Sequence, residues 1–355
     1  MFNCADDVVG YHDDEVTLPG KERTAMRGRR DANRERVEDG LANGSKPKPR
    51  EFFSQGSYAM KTMTQHPDNA YDVDDGVYFD AEALKGARGE EMSPLDVRNM
   101  IRDAVDDGSF KTKPEVRPKC VRVYYDDGSH VDIPAYRRKT KTNFSTGAEE
   151  EYFELAGAEW KRSDARDVTA WFDDQNTKQS PDQENGGQLR RITRLLKKLG
   201  TSRSSWHGRM AKGFTITALA VECFKPNSSR EDQSLYDTMK AIRDRLVWNK
   251  EVKHPVTPDE MLTSGSDDAK TSFLKAKLDQ ALEALQVLLR NDCSREQALK
   301  AWDKVFNTEY FSARDATGKS RAAGAPTILS AGLLKSRGGG VVGEPVRKDG
   351  GGRYA

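Results

Sequence analysis

Long apolar runs, cysteine clusters and a signal-peptide pattern are all missing from this chain of 355 residues. No stretch reaches the apolar length needed to cross a bilayer, so we expect no membrane association. The first residues, MFNCADDVVGYHDDE, are acidic and do not resemble a targeting signal. Cys4, Cys120, Cys223 and Cys293 are far apart, without a CxxC pair, which argues against a disulfide framework or a zinc site and suits a reducing cytoplasm.

An excess of charge of one sign is also lacking. The chain has 58 Lys and Arg residues against 57 Asp and Glu, a net charge of +1. Without a global basic bias we expect no specific nucleic-acid partner, and any positive surface must be local. The polar composition together with ordered apolar patterns predicts a flexible N-terminus (1–18), a core domain (19–150), a helical lobe (151–311) and a flexible Gly-rich tail (312–355).

The most informative stretch runs from residue 55 to residue 80. Gln55, Gly56 and Ser57 form a small-residue turn that begins a helix, and a helix N-terminus presents free N–H groups to an anion. The segment YDVDDGVYFD predicts a strand on which Asp72 and Asp74, two residues apart, project from the same face. Paired carboxylates beside such a turn indicate a site for Mg²⁺ and a triphosphate, where metal ions assist displacement at phosphorus.

A third carboxylate is predicted in the segment CVRVYYDDGSHVDIPAY. Two alternating runs flank a DDGS turn, which predicts a β-hairpin. Asp132 is the only acid in the second strand. Alone, such an acid is either solvent-facing or a ligand. The presence of Asp72 and Asp74 favours a ligand, because a buried carboxylate without a cation is costly.

The motifs QGSYAMKT, DVDDGVYF and HVDIPAY, in this order, resemble the DNA polymerase β-like nucleotidyltransferases. Within that superfamily they resemble the bacterial cGAS/DncV-like nucleotidyltransferases, the cyclic oligonucleotide synthases of CBASS anti-phage operons. The resemblance covers residues 15 to 310 approximately. It implies an α/β (α+β) fold, in which a mixed sheet with flanking helices and a helical C-terminal lobe enclose a central cleft.

The same resemblance implies synthesis of a cyclic di- or trinucleotide from ATP and GTP, with 3′,3′-cyclic GMP-AMP as the favoured product. Asp72 and Asp74 would hold two Mg²⁺ (or Mn²⁺) ions, and Asp132 would bind the ion that activates the attacking ribose hydroxyl. Gln55, Gly56 and Ser57 would cradle the triphosphate. Two alternatives stay open: linear nucleotidyl transfer to RNA or a small acceptor, and a non-catalytic nucleotide-binding scaffold. The intact acidic triad argues against the scaffold.

Cationic partners for the triphosphate are less well defined. Lys61, one turn after Ser57, points either to a phosphate or to the surface. Arg122 either contacts the γ-phosphate, as the resemblance implies, or projects into solvent from a half-solvated strand.

The segment GGQLRRITRLLKKLG predicts a basic amphipathic helix. Its Leu and Ile residues face the core, and its cations, including Lys197 and Lys198, do not. The resemblance implies that this helix supplies cations to the triphosphate, for which Arg191 and Arg194 are the candidates. Lys212, before the next helix, is another.

The chain ends GGGRYA. This tail is either a disordered end or, as in some CBASS synthases, a segment whose last residue an E1/E2-like enzyme conjugates to a target. Ala355 would then be the conjugation terminus, and a downstream effector would respond to the nucleotide product.

Overall fold

A mixed β-sheet and a group of helices form the two lobes of this protein. The computed structural model describes residues 1–66, 71–86, 89–143, 145, 147–257 and 259–314. The strands are β1 (Glu51–Gln55), β2 (Asp72–Asp80), β3 (Glu115–Val116), β4 (Val121–Tyr124), β5 (His130–Ile133), β6 (Ala135–Thr142), β7 (Glu149–Ala156) and β8 (Trp160–Arg162). The helices are α1 (Ala5–Tyr11), α2 (Gly20–Asn43), α3 (Gly56–Ala59), α4 (Pro94–Val105), α5 (Ala165–Gln179), α6 (Gln188–Thr201), α7 (Gly213–Cys223), α8 (Glu231–Trp248), α9 (Ala269–Leu285) and α10 (Arg295–Phe306). Together these elements confirm the predicted α/β class with a helical lobe.

Strand β2 lies at the centre of the sheet. It pairs antiparallel with β1, and parallel with β5 and β6. The order along the sheet is β3-β4-β5-β2-β6-β7-β8, with β1 on β2. The predicted hairpin is confirmed, because β4 and β5 pair antiparallel from Val121 opposite Ile133 to Tyr124 opposite His130. Adjacent strands therefore carry all three acidic candidates.

Helices α2 and α4 pack against one face of the sheet, opposite the face on which the acidic candidates lie. Their buried side chains join Val73, Val123 and Val131 in one apolar cluster. The two helices approach closely at Gly40, where a methyl group would lie 2.0 Å from the Ala104 carbonyl oxygen. A capping box between Ser93 and Asp96 sets the beginning of α4. This packing holds the acidic face of the sheet toward the other lobe.

The prediction of a loosely held N-terminus is wrong. Residues 5–11 form α1, and a π-helical turn follows over His12–Val16. Cys4, Val8 and Tyr11 are at most 2% exposed and belong to the core of the helical lobe. The acidic residues suggested a solvated segment, but charge pairing allows one of them to be buried. Asp7 pairs with Arg295 at 2.9 Å.

The predicted domain boundary after residue 150 is also misplaced. It would cut β7, which pairs along its whole length with β6 and then with β8. The sheet thus continues to Arg162, and the helical lobe begins with α5 at Ala165. Residues 315–355, including the predicted conjugation terminus Ala355, lie outside the described residues. Among the helices that are described, none has the length and apolar character to span a bilayer.

We expect replacement of Tyr11 by alanine to destabilise the whole helical lobe. The Tyr11 ring lies 4.7 Å from that of Phe306 and 4.9 Å from that of Phe311, and loss of a buried aromatic ring costs about 3–5 kcal/mol. Urea unfolding would measure the change. Asp6→Ala, at an exposed position of the same helix, should leave the midpoint unchanged. Equal midpoints for both variants would contradict the placement of α1 in the core.

Candidate active site

Two rows of side chains cross one face of the sheet. Register pairs Arg122 with Asp132, Asp132 with Asp74, and Asp74 with Gln55, across β4, β5, β2 and β1. Residues paired in this way project from the same face. Two residues away on each of β4, β5 and β2, Tyr124 is paired with His130 and His130 with Asp72. The structure thus brings the three predicted carboxylates together.

The Gly-Ser turn lies directly against Asp74. Gly56 has a φ of +65°, a region that glycine adopts readily and other residues rarely do. A methyl group at this position would lie 2.2 Å from Oδ2 of Asp74. The Gln55 side chain is buried, and its Oε1 accepts a hydrogen bond from the Tyr136 hydroxyl at 2.9 Å. This hydrogen bond therefore fixes the residue that precedes the turn. The amide groups that begin α3 lie beside the carboxylates.

The crowding of carboxylates perturbs their protonation. Burial, followed by repulsion from Asp72 and Asp132, raises the pKa of Asp74 to about 7. Burial also raises the pKa of Asp72, against the attraction of His130. In the absence of a cation the site therefore retains protons that ordinary surface carboxylates lose. A bound cation would replace that proton, because it stabilises the charged form.

Arg122 is engaged with Asp132. Its Nε and Nη2 each donate to one carboxylate oxygen of Asp132, both at 2.7 Å. This bidentate hydrogen bond raises the pKa of the guanidinium. Cys120 lies next to the pair, and burial raises the pKa of its thiol to about 12, so the thiol stays neutral and is not a thiolate ligand. The Arg122 side chain is therefore held against Asp132 and does not extend into solvent.

Sequence reasoning missed His130. Its Nε2 contacts Oδ1 of Asp72, so the ring is paired with that carboxylate. One ligand atom from each of Asp72, His130 and Asp132 lies within 4.8 Å of the others. Carboxylate oxygens and an imidazole nitrogen in one cluster fit a divalent cation. The signal was present, because His130 lies two residues before Asp132 and therefore on the same face of β5.

The basic face of α6 contacts the segment that follows α3. Four of its side chains donate to four successive or nearly successive carbonyl groups: Arg190 to Met60 at 3.0 Å, Arg194 to Lys61 at 2.8 Å, Lys197 to Thr62 at 2.7 Å and Lys198 to Gln65 at 3.3 Å. The prediction that these cations face away from the core is therefore wrong. They are buried or partly buried because they contact the segment that follows the Gly-Ser turn and α3.

The predicted cations fall in different places. Arg191 is not in the site, because Asp182 and Glu231 enclose its guanidinium at 2.8 and 2.9 Å. Arg194 donates a hydrogen bond to the Lys61 carbonyl, and its Nη1 lies 3.3 Å from His12 Nε2. Lys212 is exposed just before α7 and lines a surface groove with Asp268.

Lys61 lies on the turn itself, with a φ of +55°. Partial burial lowers the pKa of its ammonium group, with a further lowering from Arg190. Lys61 is nevertheless an exposed residue.

Lys197, on α6, lies close enough to the acids to be attracted to Asp74. Burial, and then repulsion from Arg194, lowers the pKa of its ammonium group to about 8, whereas attraction to Asp74 opposes this. A methyl group at Gly213, the first residue of α7, would lie 3.2 Å from Lys197 Cε. Lys197 follows Arg194 by three residues, so one further helical turn along the predicted face would have found it.

These features define a nucleotidyltransferase with a polymerase β-like fold. Residues 50–136 match the family model described as "Cyclic GMP-AMP synthase DncV-like, nucleotidyltransferase domain". This stretch contains the Gly-Ser turn and all three acids. Residues 50–136 therefore match a DncV-like nucleotidyltransferase domain, which confirms the predicted resemblance and the nucleotidyltransferase class.

Solved structures show the same fold beyond this domain. The Vibrio cholerae DncV cyclic AMP-GMP synthase in complex with nonhydrolyzable GTP matches with a TM-score of 0.67 and 17% identity, over 86% of this chain and 96% of that one. The same protein with the linear intermediate 5′ pppA(3′,5′)pG matches with a TM-score of 0.66 and 17% identity, over 86% and 96% of the chains. The Escherichia coli DncV with 3′-deoxy GTP matches with a TM-score of 0.63 and 16% identity, over 84% and 94%. The helical lobe thus belongs to the shared architecture.

Proposed function

We propose that this protein joins ATP and GTP into a cyclic dinucleotide, with 3′,3′-cyclic GMP-AMP as the expected product. The observation that carries the proposal is the row formed by Asp132, Asp74 and the Gly-Ser turn at Gly56. It places carboxylates for a divalent cation beside amide groups for a triphosphate. The complexes of similar proteins with nonhydrolyzable GTP and with a linear dinucleotide support the same chemistry.

In the first step a ribose hydroxyl of one nucleotide attacks the α-phosphate of the other. A phosphorus–oxygen bond forms, the bond to pyrophosphate breaks, and the hydroxyl proton is lost to a base or to water. The new 5′-triphosphate then undergoes the same reaction within one molecule, which closes the ring. Two Mg²⁺ or Mn²⁺ ions, when bound by Asp72, Asp74 and Asp132, would neutralise charge on the attacking and leaving oxygens.

The contribution of the chain itself is mainly positioning. The amides of the Gly-Ser turn orient the triphosphate, and the basic face of α6 holds that turn in place through the carbonyls of residues 60–65. Holding two reactants in reacting geometry supplies a large part of the acceleration in reactions of this type. By the family resemblance we also propose an anti-phage setting, with a downstream effector for the product and an E1/E2-like enzyme acting at Ala355.

Mass spectrometry tests the proposal. Purified protein is incubated with all four nucleoside triphosphates and either Mg²⁺ or Mn²⁺, and the products are treated with phosphatase. A phosphatase-resistant cyclic dinucleotide that Asp72→Ala/Asp74→Ala does not make would support the synthase. Linear products alone would favour transfer to an acceptor. Absence of any product from protein that binds nucleotide would contradict the proposal under these conditions.

We expect Lys197→Met to weaken triphosphate binding by about 10- to 100-fold, since a charge-assisted hydrogen bond contributes about 1.5–3 kcal/mol. Lys197 lies between the Thr62 carbonyl and Asp74, where a phosphate would meet its ammonium group. Calorimetry with a nonhydrolyzable triphosphate measures the affinity. Lys198→Met is the matched control, because the Lys198 ammonium group donates to the Gln65 carbonyl at 3.3 Å rather than to the Thr62 carbonyl. Equal affinities for the two variants would remove Lys197 from the site.

A further inference from the structure

A space in the face of the sheet lies next to the acids. Asp74, Gly76 and Tyr78 alternate along β2 and therefore project from one face. Because Gly76 has no side chain, this face is open between the Asp74 carboxylate and the Tyr78 ring. Tyr136, which is paired with Tyr78 in the register of β2 and β6, fills the space. A methyl group at Gly76 would lie 3.0 Å from Tyr136 Cε2, so the ring crosses β2 at the glycine.

The Tyr136 ring is held in a buried aromatic cluster. It stacks on the Tyr78 ring at 4.6 Å with an angle of 9° between the planes, and Phe153 meets Tyr78 edge-on at 5.4 Å. Tyr136 is only 3% exposed. Its hydroxyl donates to Oε1 of Gln55, on the far side of β2, at 2.9 Å. Close packing allows such a ring little movement, so the direction of this hydrogen bond is fixed.

Gln55 receives this hydrogen bond on the face of the sheet that carries the acids. Register pairs it with Asp74, and it directly precedes Gly56, the first residue of α3. A primary amide has an acceptor end and a donor end. Oε1 is engaged by the Tyr136 hydroxyl, so the Nε2 end points away from that ring. Phosphate oxygens are acceptors, and the donor end is therefore the one that a triphosphate at the turn requires.

The opposite orientation of the Gln55 amide is disfavoured by the same hydroxyl. If the amide were reversed, Nε2 would donate to the Tyr136 oxygen and the hydroxyl proton would lose its acceptor. Burial raises the pKa of the Tyr136 hydroxyl, so the group keeps its proton and must donate it. A buried donor without an acceptor is costly. The tyrosine therefore selects one of the two orientations of the amide.

We propose that Tyr136 is a positioning residue for the nucleotide: its hydroxyl fixes the Gln55 amide so that Nε2 donates a hydrogen bond to the triphosphate. The inference rests on the proposed function for the identity of the ligand. A side chain that is ordered before the ligand arrives does not have to be ordered during binding, and this raises the affinity. The aromatic cluster thus acts on the triphosphate through a single amide.

A double-mutant cycle tests the inference. Calorimetry measures the affinity of the full-length protein for a nonhydrolyzable GTP analogue with Mg²⁺ present. We expect Gln55→Ala to weaken binding by about 10-fold, the effect of losing one hydrogen bond to a charged group. Tyr136→Phe should weaken it by about 3- to 10-fold, because the amide must then be ordered on binding. Tyr136→Phe should have no further effect in the Gln55→Ala background, since the tyrosine acts through the glutamine.

Gln55→Glu tests the direction of the amide without changing Tyr136. An ionised carboxylate only accepts hydrogen bonds, so this variant should bind the analogue more weakly than Gln55→Ala does. Affinity equal to that of the wild type would overturn the assignment of Nε2 as the donor. This comparison remains decisive even if Tyr136→Phe fails to fold.

Tyr78→Phe is the matched control, because the Tyr78 hydroxyl belongs to the same cluster but donates to Asp164 at 3.4 Å. It should keep the affinity of the wild type. Equal affinities for Tyr78→Phe and Tyr136→Phe, or losses that add in the double variant, would overturn the inference. Binding of the analogue requires no turnover. The expected cycle in a protein that makes no cyclic product would therefore refute the proposed function alone, and a cyclic product with additive losses would refute this inference alone.

Discussion

Asp74→Asn is expected to abolish nucleotide joining and, at the same time, to stabilise the metal-free protein. The carboxylate lies between Gln55 and Asp132 in the row across the sheet. Without it the site loses a carboxylate ligand for the divalent cation that neutralises the triphosphate. Loss of preorganised charge stabilisation of this kind lowers rates by about 1000-fold or more. The rate of product formation with Mn²⁺ measures this effect.

The effect on stability has the opposite sign. The pKa of Asp74 is raised from its ordinary value of 3.8 to about 7. Within that window the folded protein binds more protons than the unfolded chain, so stability falls as pH rises. Asparagine does not titrate. The melting temperature of metal-free Asp74→Asn should therefore exceed that of the wild type at pH 8, and the difference should vanish near pH 4.

Asp80→Asn provides the control on the same strand. Asp80 pairs with Arg138 at 2.7 Å, away from the acids, so its replacement should leave activity intact and give no gain in stability at pH 8. Added Mn²⁺ should raise the melting temperature of this control and of the wild type, because it binds only the folded site. It should not do so for Asp74→Asn. An active Asp74→Asn enzyme, or one stabilised by Mn²⁺ as the wild type is, would contradict the assignment.

Gly56→Ala is expected to have the second-largest effect. Its left-handed backbone costs a residue with a side chain about 1–2 kcal/mol, and the new methyl group would lie 2.2 Å from Oδ2 of Asp74. Either the turn or the carboxylate must move. A displacement of about 1 Å at a reacting site lowers the rate by about 100-fold, and we expect a loss of that size in product formation.

The control for this substitution is Gly28→Ala. Gly28 lies within α2, and a methyl group there meets no atom within 4 Å. Alanine is the better helix former by about 1 kcal/mol, so this variant should keep full activity and a slightly higher melting temperature. If Gly56→Ala retained the activity of Gly28→Ala, the turn would not be in contact with Asp74 during the reaction.

The acidic triad could be predicted because its determinants are local. Alternation along a strand places Asp72 and Asp74 on one face, and the DDGS turn of the hairpin predicts where the strand that carries Asp132 begins. The amphipathic pattern of α6 likewise predicted the helix and its apolar stripe. In each of these cases neighbours in sequence decide the outcome, since strand and helix periodicities act over a few residues.

Tertiary structure alone decided the rest. His130 meets Asp72 only through the register of two parallel strands that are distant in sequence. In the sequence, the cations of α6 have the pattern of a solvated face. In the structure, carbonyl groups of residues 60–65 contact these cations, and Lys197 is desolvated. The acidic N-terminus enters the core because the aromatic rings of the last helices enclose Tyr11. Local sequence therefore determined which groups this site contains. Long-range packing decided which of them meet, because burial and charge pairing depend on neighbours that the local pattern does not specify.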